Sequence, residues 1–284
     1  MEGVMGKRDR SMIRTCLFLA TLVASSVSGA PGEGALRAGA ARVDITPPEG
    51  AALRMSGYAG RLSGAPIAVI MNHGVHCTVF GAKNLRISGD LAGAASRYVE
   101  QRLGGAAVAV FTSGAAGDQA PIYNRAESYE DVAKLGRILG DEVLRVSAKL
   151  RMSALGRIAG AQTAVTCPGQ KRVAGSQKDP AAYRFEDAAP VTIRLSLLMI
   201  NHIALTGVSG EVLTMIARRL KKESPLSRTL MVTNCNGSSS YIPDDAAYDE
   251  VSYEIASAHV KRGCAENAIV NGLLDMIDKA AAQR

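Results

Sequence analysis

The sequence predicts an α/β fold, with helices packed on a mixed β-sheet core in a single domain. Short apolar runs rich in β-branched and small residues, typical of buried strands, alternate with longer segments whose apolar residues recur at helical spacing. Of the 284 residues, 47% are apolar, which is enough for one domain with a substantial core. No internal repeat interrupts this pattern, so we expect one domain over residues 31–284.

Residues 1–30 are predicted to be a signal peptide that precedes this domain. Lys and Arg residues within positions 7–14 come before an apolar run at 16–27, and small residues then offer a cleavage site before Pro31. The run is shorter than the about 20 apolar residues that a membrane-spanning helix needs. We therefore expect an exported protein, periplasmic or secreted, and an uncleaved N-terminal anchor stays open as the alternative.

The first half of the domain is predicted to contain three strands and two helices. Alternation of apolar and polar residues predicts the first strand, which Pro47 and Pro48 end, and continuous apolar runs predict the other two. A single apolar stripe predicts each helix, and Gly104 ends the first one. In chain order they are a strand within residues 40–50, the strand Ile67–Met71, the helix Leu91–Leu103, the strand Ala106–Phe111 and the helix Tyr129–Leu150.

The second half is predicted to contain four strands and two helices. The apolar runs on either side of Asn201 and His202 predict a hairpin, and residues 168–189 are predicted to be a polar, mobile connection. Basic residues in the last turns of the first helix match the helix dipole. The predicted elements are the strands Gly156–Cys167, Val191–Leu197, Ile203–Val208 and Leu230–Thr233 and the helices Val212–Lys222 and Ala256–Ala281.

Charge and cysteine content narrow the class of protein. A net charge of +7 favours contact with anionic surfaces but is too low and too dispersed to indicate nucleic-acid binding. The four cysteines that follow the signal peptide lack the CxxC spacing of a zinc ribbon, and either disulfides or buried free thiols remain open. They are Cys77, Cys167, Cys235 and Cys264.

The stretch NHGVH, which directly follows the predicted strand Ile67–Met71, contains the closest pair of candidate metal-binding side chains. Two of the chain's four histidines, His73 and His76, stand there three residues apart. Asp118, Glu211 and Tyr241 also follow predicted strands, and ligands of α/β sheets gather beyond the carboxyl ends of strands. Because zinc accepts imidazole nitrogen and carboxylate oxygen as ligands, these residues are compatible with a zinc site, in which His76 is one ligand. A packed loop histidine stays open as the alternative for His76.

Several stretches resemble the N-terminal catalytic domain of the neutral/alkaline, non-lysosomal ceramidase family, especially its shorter bacterial members. They occur in the family's order over nearly all of residues 38–260. The stretches are AGAARVDITPPEG, SGYAGR, NHGVHCTVFGAKNLRISGDLAG, FTSGAAGDQAP, EDVAKLGRILGDEVL, ALTGVSGEVLTMIARRLKKESP and SSSYIPDDAAYDEVSYE.

The resemblance implies a zinc-dependent amide hydrolase that cleaves ceramide into a fatty acid and sphingosine at a membrane or micelle surface. It implies that His76, Glu211 and Tyr241 are zinc ligands, His76 corresponding to the second of the family's two zinc histidines. It also implies that Tyr253 lies near the substrate carbonyl, where its hydroxyl stabilises an oxyanion. Glu211 is further expected at the start of a helix, where a carboxylate is favoured.

The sequence also departs from the family. A long segment of the family, with a His-rich stretch like THTHSGP, has no counterpart between residues 61 and 65, so the first zinc histidine is missing. Ala116 stands where some members carry a serine. Two hypotheses therefore stay open, a zinc-dependent ceramidase and a degenerate, non-catalytic relative that binds lipid or retains only the scaffold. His73 is a substitute ligand or, as we favour, a bystander, and Asp90 and Asp118 are expected to fix loop geometry.

Overall fold

The computed structural model describes residues 66–105, 107–123, 128–150, 156–176, 179–250 and 252–282. The predicted signal peptide, the strand within residues 40–50 and the junction at residues 61–65 lie outside the described residues. The described strands are β1 (Ala68–His73), β2 (Val108–Ser113), β3 (Ile158–Ser176), β4 (Asp179–Ile200), β5 (Ile203–Val208), β6 (Glu211–Val212), β7 (Arg228–Val232) and β8 (Tyr241–Ile242). The described helices are α1 (Asp90–Arg102), α2 (Tyr129–Ser147), α3 (Thr214–Glu223), α4 (Tyr253–Ser257) and α5 (Ala265–Ala282).

The strands form mixed sheets, which confirms the predicted α/β class. The largest sheet has the order β3-β4-β5-β7, antiparallel except for the parallel β5–β7 pair. β1 and β2 form a parallel pair, and the short strands β6 and β8 form another. The predicted hairpin is confirmed, with Ile200 opposite Ile203 and Asn201 in the left-handed conformation at φ 52°. Within the described residues, no helix combines the length and apolarity needed to cross a membrane.

The main core lies between the four-stranded sheet and two helices, α3 and α5. Alternate residues of β4, such as Ile193 and Leu195, are fully buried because a strand turns every second side chain to the same face. On α5, Ile269, Leu273 and Ile277 are fully buried at four-residue spacing, which places them on one stripe of the helix. The apolar face of the strand, with its two-residue period, therefore packs against the apolar stripe of the helix at this interface.

A second packed layer joins α1 and α2 to the β1–β2 pair. Two glycines of α2 let the helices approach closely, since a Cβ at Gly136 would lie 2.6 Å from the Cβ of Ala94 and one at Gly140 would lie 2.5 Å from Cδ1 of Tyr98. Ser128 caps the start of α2 by accepting hydrogen bonds from the backbone of Glu130 and Asp131. This layer supports β1, the strand that leads into NHGVH.

The prediction that residues 168–189 form a mobile connection is wrong. β3 and β4 continue through this region as one long antiparallel hairpin. Lys171 lies 3.7 Å from Glu186 across the pair, and the guanidinium of Arg172 lies 5.3 Å from the ring centroid of Tyr183. Such cross-strand pairs stabilise the two-stranded ribbon. Most of its described side chains are solvent-exposed, so its sequence lacks the alternation of apolar and polar residues that predicts a strand.

The prediction of one final helix, Ala256–Ala281, is also wrong, because α4 ends at Ser257 and α5 begins at Ala265. The intervening segment pairs with β3, where the amide of Gln170 donates to the carbonyl of His259 at 2.8 Å. A disulfide between Cys167 and Cys264 then ties β3 to the residue before α5. The other two described cysteines, Cys77 and Cys235, are free thiols.

Candidate metal centre

The loops after β1, β2 and β7 meet at the carboxyl ends of these strands. The amide of Gly114 donates to the carbonyl of His73 at 2.9 Å, and the amide of Thr233 donates to the carbonyl of Ser113 at 3.0 Å. A Cβ at Gly74 would lie 2.7 Å from the carbonyl oxygen of Ala115, so only glycine fits between His73 and Val75 without a shift. The stretch NHGVH and the loop after β2 are therefore packed backbone to backbone.

This packing fixes the side chain of His76. Both its backbone amide and its Nδ1 lie within hydrogen-bonding distance of the carbonyl oxygen of Gln119, at 2.9 and 3.0 Å. A carbonyl oxygen only accepts, so Nδ1 carries the proton of this bond. The other ring nitrogen, Nε2, points toward Glu211. A backbone carbonyl that orients an imidazole in this way is a common outer partner of metal-bound histidine.

Glu211 and Tyr241 are placed side by side by the parallel pair β6–β8. Their Cα atoms are register partners, and the amide of Glu211 donates to the carbonyl of Ser240 at 2.9 Å. The expectation that Glu211 starts a helix is wrong, because α3 begins only at Thr214 and Glu211 lies in a strand. Two-residue strands are too short to show a period, and this is why the sequence did not reveal them.

Three side-chain atoms that can bind a metal ion come together here from distant parts of the chain. Nε2 of His76 lies 3.1 Å from Oε2 of Glu211 and 3.4 Å from Oη of Tyr241. The side chains of His76 and Glu211 are half-buried, with 28% and 32% of their surfaces exposed. In a neutral imidazole whose Nδ1 is protonated, Nε2 carries a lone pair, so it faces the carboxylate as acceptor to acceptor. This contact is favourable only with a proton or a cation between the two atoms.

The distances suit a tetrahedral zinc ion. Ligand atoms bonded at about 2.0–2.2 Å lie about 3.3–3.6 Å apart around a tetrahedron, and the observed separations of 3.1 and 3.4 Å are close to this range. Among the described residues, no group of three or more His, Cys, Asp or Glu side chains is placed to hold a metal ion. The third group at this centre is the phenol of Tyr241. Three protein ligands and one open position are the usual arrangement of a catalytic zinc.

The surroundings of Tyr241 favour the protonated form of its phenol. Burial is the largest cause, and a hydrogen bond to Glu211 and the charge of that carboxylate add to it, so the pKa of Tyr241 is raised. The ring of Tyr253, at the start of α4, stands edge-on to Tyr241 with 5.6 Å between centroids. The fourth residue that the resemblance indicated, Tyr253, therefore lies beside Tyr241.

Comparisons with known proteins bear on the fold. No protein-family model matches the chain, and no curated protein sequence matches it. A solved structure described as a ceramidase complexed with C2 matches with a TM-score of 0.64 and 14% identity, over 76% of this chain and 46% of that one. Neutral ceramidase from Pseudomonas aeruginosa matches with a TM-score of 0.62 and 15% identity, over 76% of this chain and 44% of that one.

The chain has the fold of a ceramidase. The TM-scores of 0.64 and 0.62 thus confirm the resemblance found in the sequence at the level of the fold. At an identity of 14–15%, the comparison shows the fold alone. The chain spans less than half the length of the two ceramidases that it matches.

Other residues singled out by the sequence have structural places in this ceramidase fold. Asp90 accepts hydrogen bonds from the amides of Val79 and Phe80 and so fixes loop geometry as expected. Asp118 instead accepts two hydrogen bonds from Thr214, the first residue of α3, and so joins its loop to that helix. His73 lines a cavity of about 290 Å³ together with residues of α3. Sequence reasoning missed Gln119, because a backbone carbonyl leaves no signature in residue type.

Proposed function

We propose that this chain is a zinc-dependent amide hydrolase of the neutral ceramidase type, which cleaves N-acylsphingosine into a fatty acid and sphingosine. The observation that carries the proposal is the convergence of Nε2 of His76, Oε2 of Glu211 and Oη of Tyr241. The ceramidase fold supports it, since two ceramidases match the chain and one of them is described as complexed with C2.

His76, Glu211 and Tyr241 would hold the zinc ion. When bound, zinc supplies a Lewis acid for the amide carbonyl and lowers the pKa of water to about 7. The carboxylate of Glu211 offsets the positive charge, and the carbonyl of Gln119 keeps His76 in the tautomer with a free Nε2. The phenol of Tyr253, whose ring contacts that of Tyr241, would donate a hydrogen bond to the oxyanion that develops from the carbonyl.

Replacing Tyr253 with phenylalanine tests that assignment. We expect kcat to fall by about 10²–10³-fold, the usual cost of losing one oxyanion donor. Zinc content should stay at the wild-type level, because Tyr253 is not among the three converging donors. Tyr129→Phe, which removes an exposed phenol from α2, is the matched control and should leave kcat unchanged. A Tyr253→Phe variant with wild-type kcat would show that the phenol takes no part.

Export and a lipid surface belong to the same proposal. The Cys167–Cys264 disulfide supports export, since structural disulfides persist in oxidising compartments, and residues 1–30 have the pattern of a signal peptide. Residues 1–30 contain four Lys and Arg and two Asp and Glu, so the net charge of +7 becomes +5 without them. This positive charge favours contact with anionic lipid surfaces, where an N-acyl lipid substrate would be met.

A second candidate function is that of a non-catalytic relative that retains the scaffold. A doubly protonated His76 could donate from Nδ1 to Gln119 and from Nε2 to Glu211, and this arrangement satisfies the same contacts without a metal. The family segment that is missing near residues 61–65 favours it as well.

Turnover of a fluorescent ceramide distinguishes the two functions. The purified chain without residues 1–30 is assayed in mixed micelles as isolated, after removal of metal by a chelator, and after zinc is added back. Hydrolysis that is lost with the chelator and restored by zinc is expected. No hydrolysis under all three conditions would overturn the enzymatic proposal and favour the non-catalytic relative.

A further inference from the structure

The candidate metal centre consists of two halves that are built separately. Glu211 and Tyr241 form one half, because the β6–β8 pair sets them side by side. His76 forms the other half, held by its two contacts with the carbonyl of Gln119. His76 and Glu211 are 135 residues apart in the chain, so some other contact must set the 3.1 Å between Nε2 and Oε2.

Three consecutive residues of the loop after β2 touch both halves. The amide of Gly117 donates to the carbonyl of Val212 at 3.0 Å, one residue after Glu211. Oδ1 of Asp118 accepts from the backbone amide of Thr214 at 3.0 Å and from its hydroxyl at 2.7 Å. The next residue, Gln119, holds His76.

The fit of this loop leaves little freedom. A Cβ at Gly117 would lie 2.9 Å from the carbonyl oxygen of Glu211 and 2.7 Å from Cδ1 of Leu213, so any larger residue pushes the Glu211 strand away. Leu213, at the N-cap of α3, makes no side-chain cap. Asp118 supplies that cap from a distant loop, and its charge is favoured at the helix N-terminus. The carboxylate thereby anchors α3, and with it Glu211, to the loop that carries Gln119.

We infer that Asp118 is a positioning residue, which together with Gly117 sets the separation between His76 and Glu211. Its consequence for zinc affinity rests on the proposed function, whereas its consequence for the orientation of His76 does not. The role assigned to Asp118 is that of a helix cap, because its Oδ1 accepts both hydrogen bonds from Thr214.

Two measurements on the same variants test the inference. In metal-free protein labelled with ¹⁵N-histidine, the Nδ1 proton of His76, assigned with His76→Gln, reports the bond to Gln119. Zinc affinity is measured by competition with a chromophoric chelator. Asp118→Ala should broaden or remove the Nδ1 proton signal and weaken zinc binding by about 10–100-fold, the usual cost of losing an outer partner. Asp118→Asn keeps an acceptor oxygen, and asparagine caps helices about as well as aspartate, so it should restore both properties.

Matched controls separate positioning from general destabilisation. Ser128→Ala removes a comparable helix cap from α2, away from the centre, and should change neither readout. Gly117→Ala should act like Asp118→Ala, whereas Gly136→Ala introduces a clash of similar size between α2 and α1 and should leave both readouts unchanged. An unchanged His76 signal in both Asp118→Ala and Gly117→Ala would overturn the inference, whether or not zinc binds. Absence of zinc binding by the wild type would instead overturn the proposed function.

Discussion

Replacing His76 with alanine is expected to remove zinc binding and hydrolysis together. The substitution deletes one of three converging donors and leaves Glu211 and Tyr241, which alone cannot define a metal position. Turnover should fall by about 10³-fold or more, because losing a ligand costs more than the about 10–100-fold lost with an outer partner. Zinc content per chain and the rate of ceramide hydrolysis, measured on the same preparation, check this result.

His73→Ala is the matched control for this prediction. It removes an imidazole three residues earlier, from a residue that lines the cavity beside α3, and it should leave zinc content and turnover at the wild-type level. The reverse pattern, with zinc lost in His73→Ala and kept in His76→Ala, would contradict the assignment of His76 and identify His73 as a substitute ligand.

Loss of the Cys167–Cys264 disulfide is expected to have the largest effect on stability. The bond closes a loop of 97 residues and ties β3 to the start of α5, whose apolar stripe fills the main core. Cross-linking so long a loop restricts the unfolded chain, so Cys264→Ser should lower the free energy of unfolding by about 2–5 kcal/mol. Denaturant unfolding monitored by circular dichroism measures this change.

Three comparisons make the disulfide prediction specific. Cys235→Ser removes a free thiol and should cost less than about 1 kcal/mol, whereas Cys167→Ser should match Cys264→Ser. The denatured protein without residues 1–30 should show two reactive thiols before reduction and four after it. Four reactive thiols before reduction would contradict the disulfide.

The sequence predicted those elements whose residues carry a clear period. Examples are α1 and α2, whose apolar stripes face a strand layer, and the β4–β5 hairpin around Asn201. It failed for the outer part of the β3–β4 hairpin, because that ribbon is largely solvent-exposed and bonds such as Lys171–Glu186 leave no apolar pattern. It also predicted one unbroken last helix, since the pairing of His259 and Val260 with β3 is a tertiary interaction.

The candidate site could be predicted only in part, because its residues lie far apart in the sequence and share no local pattern. Long-range spacing cannot reveal that His76, Glu211 and Tyr241 meet, and it was the resemblance to ceramidases that singled them out. The structure brings these three side chains together, and their role as zinc ligands remains a prediction. The contacts of Gly117 and of the Gln119 carbonyl act through the backbone, so no residue pattern announces them.

Diffraction from crystals grown with zinc, with data collected on both sides of the zinc absorption edge, tests the central claim most directly. We expect one anomalous peak at about 2.0–2.2 Å from Nε2 of His76, a carboxylate oxygen of Glu211 and Oη of Tyr241. A peak bound elsewhere, or no peak at this centre from crystals saturated with zinc, would contradict the account.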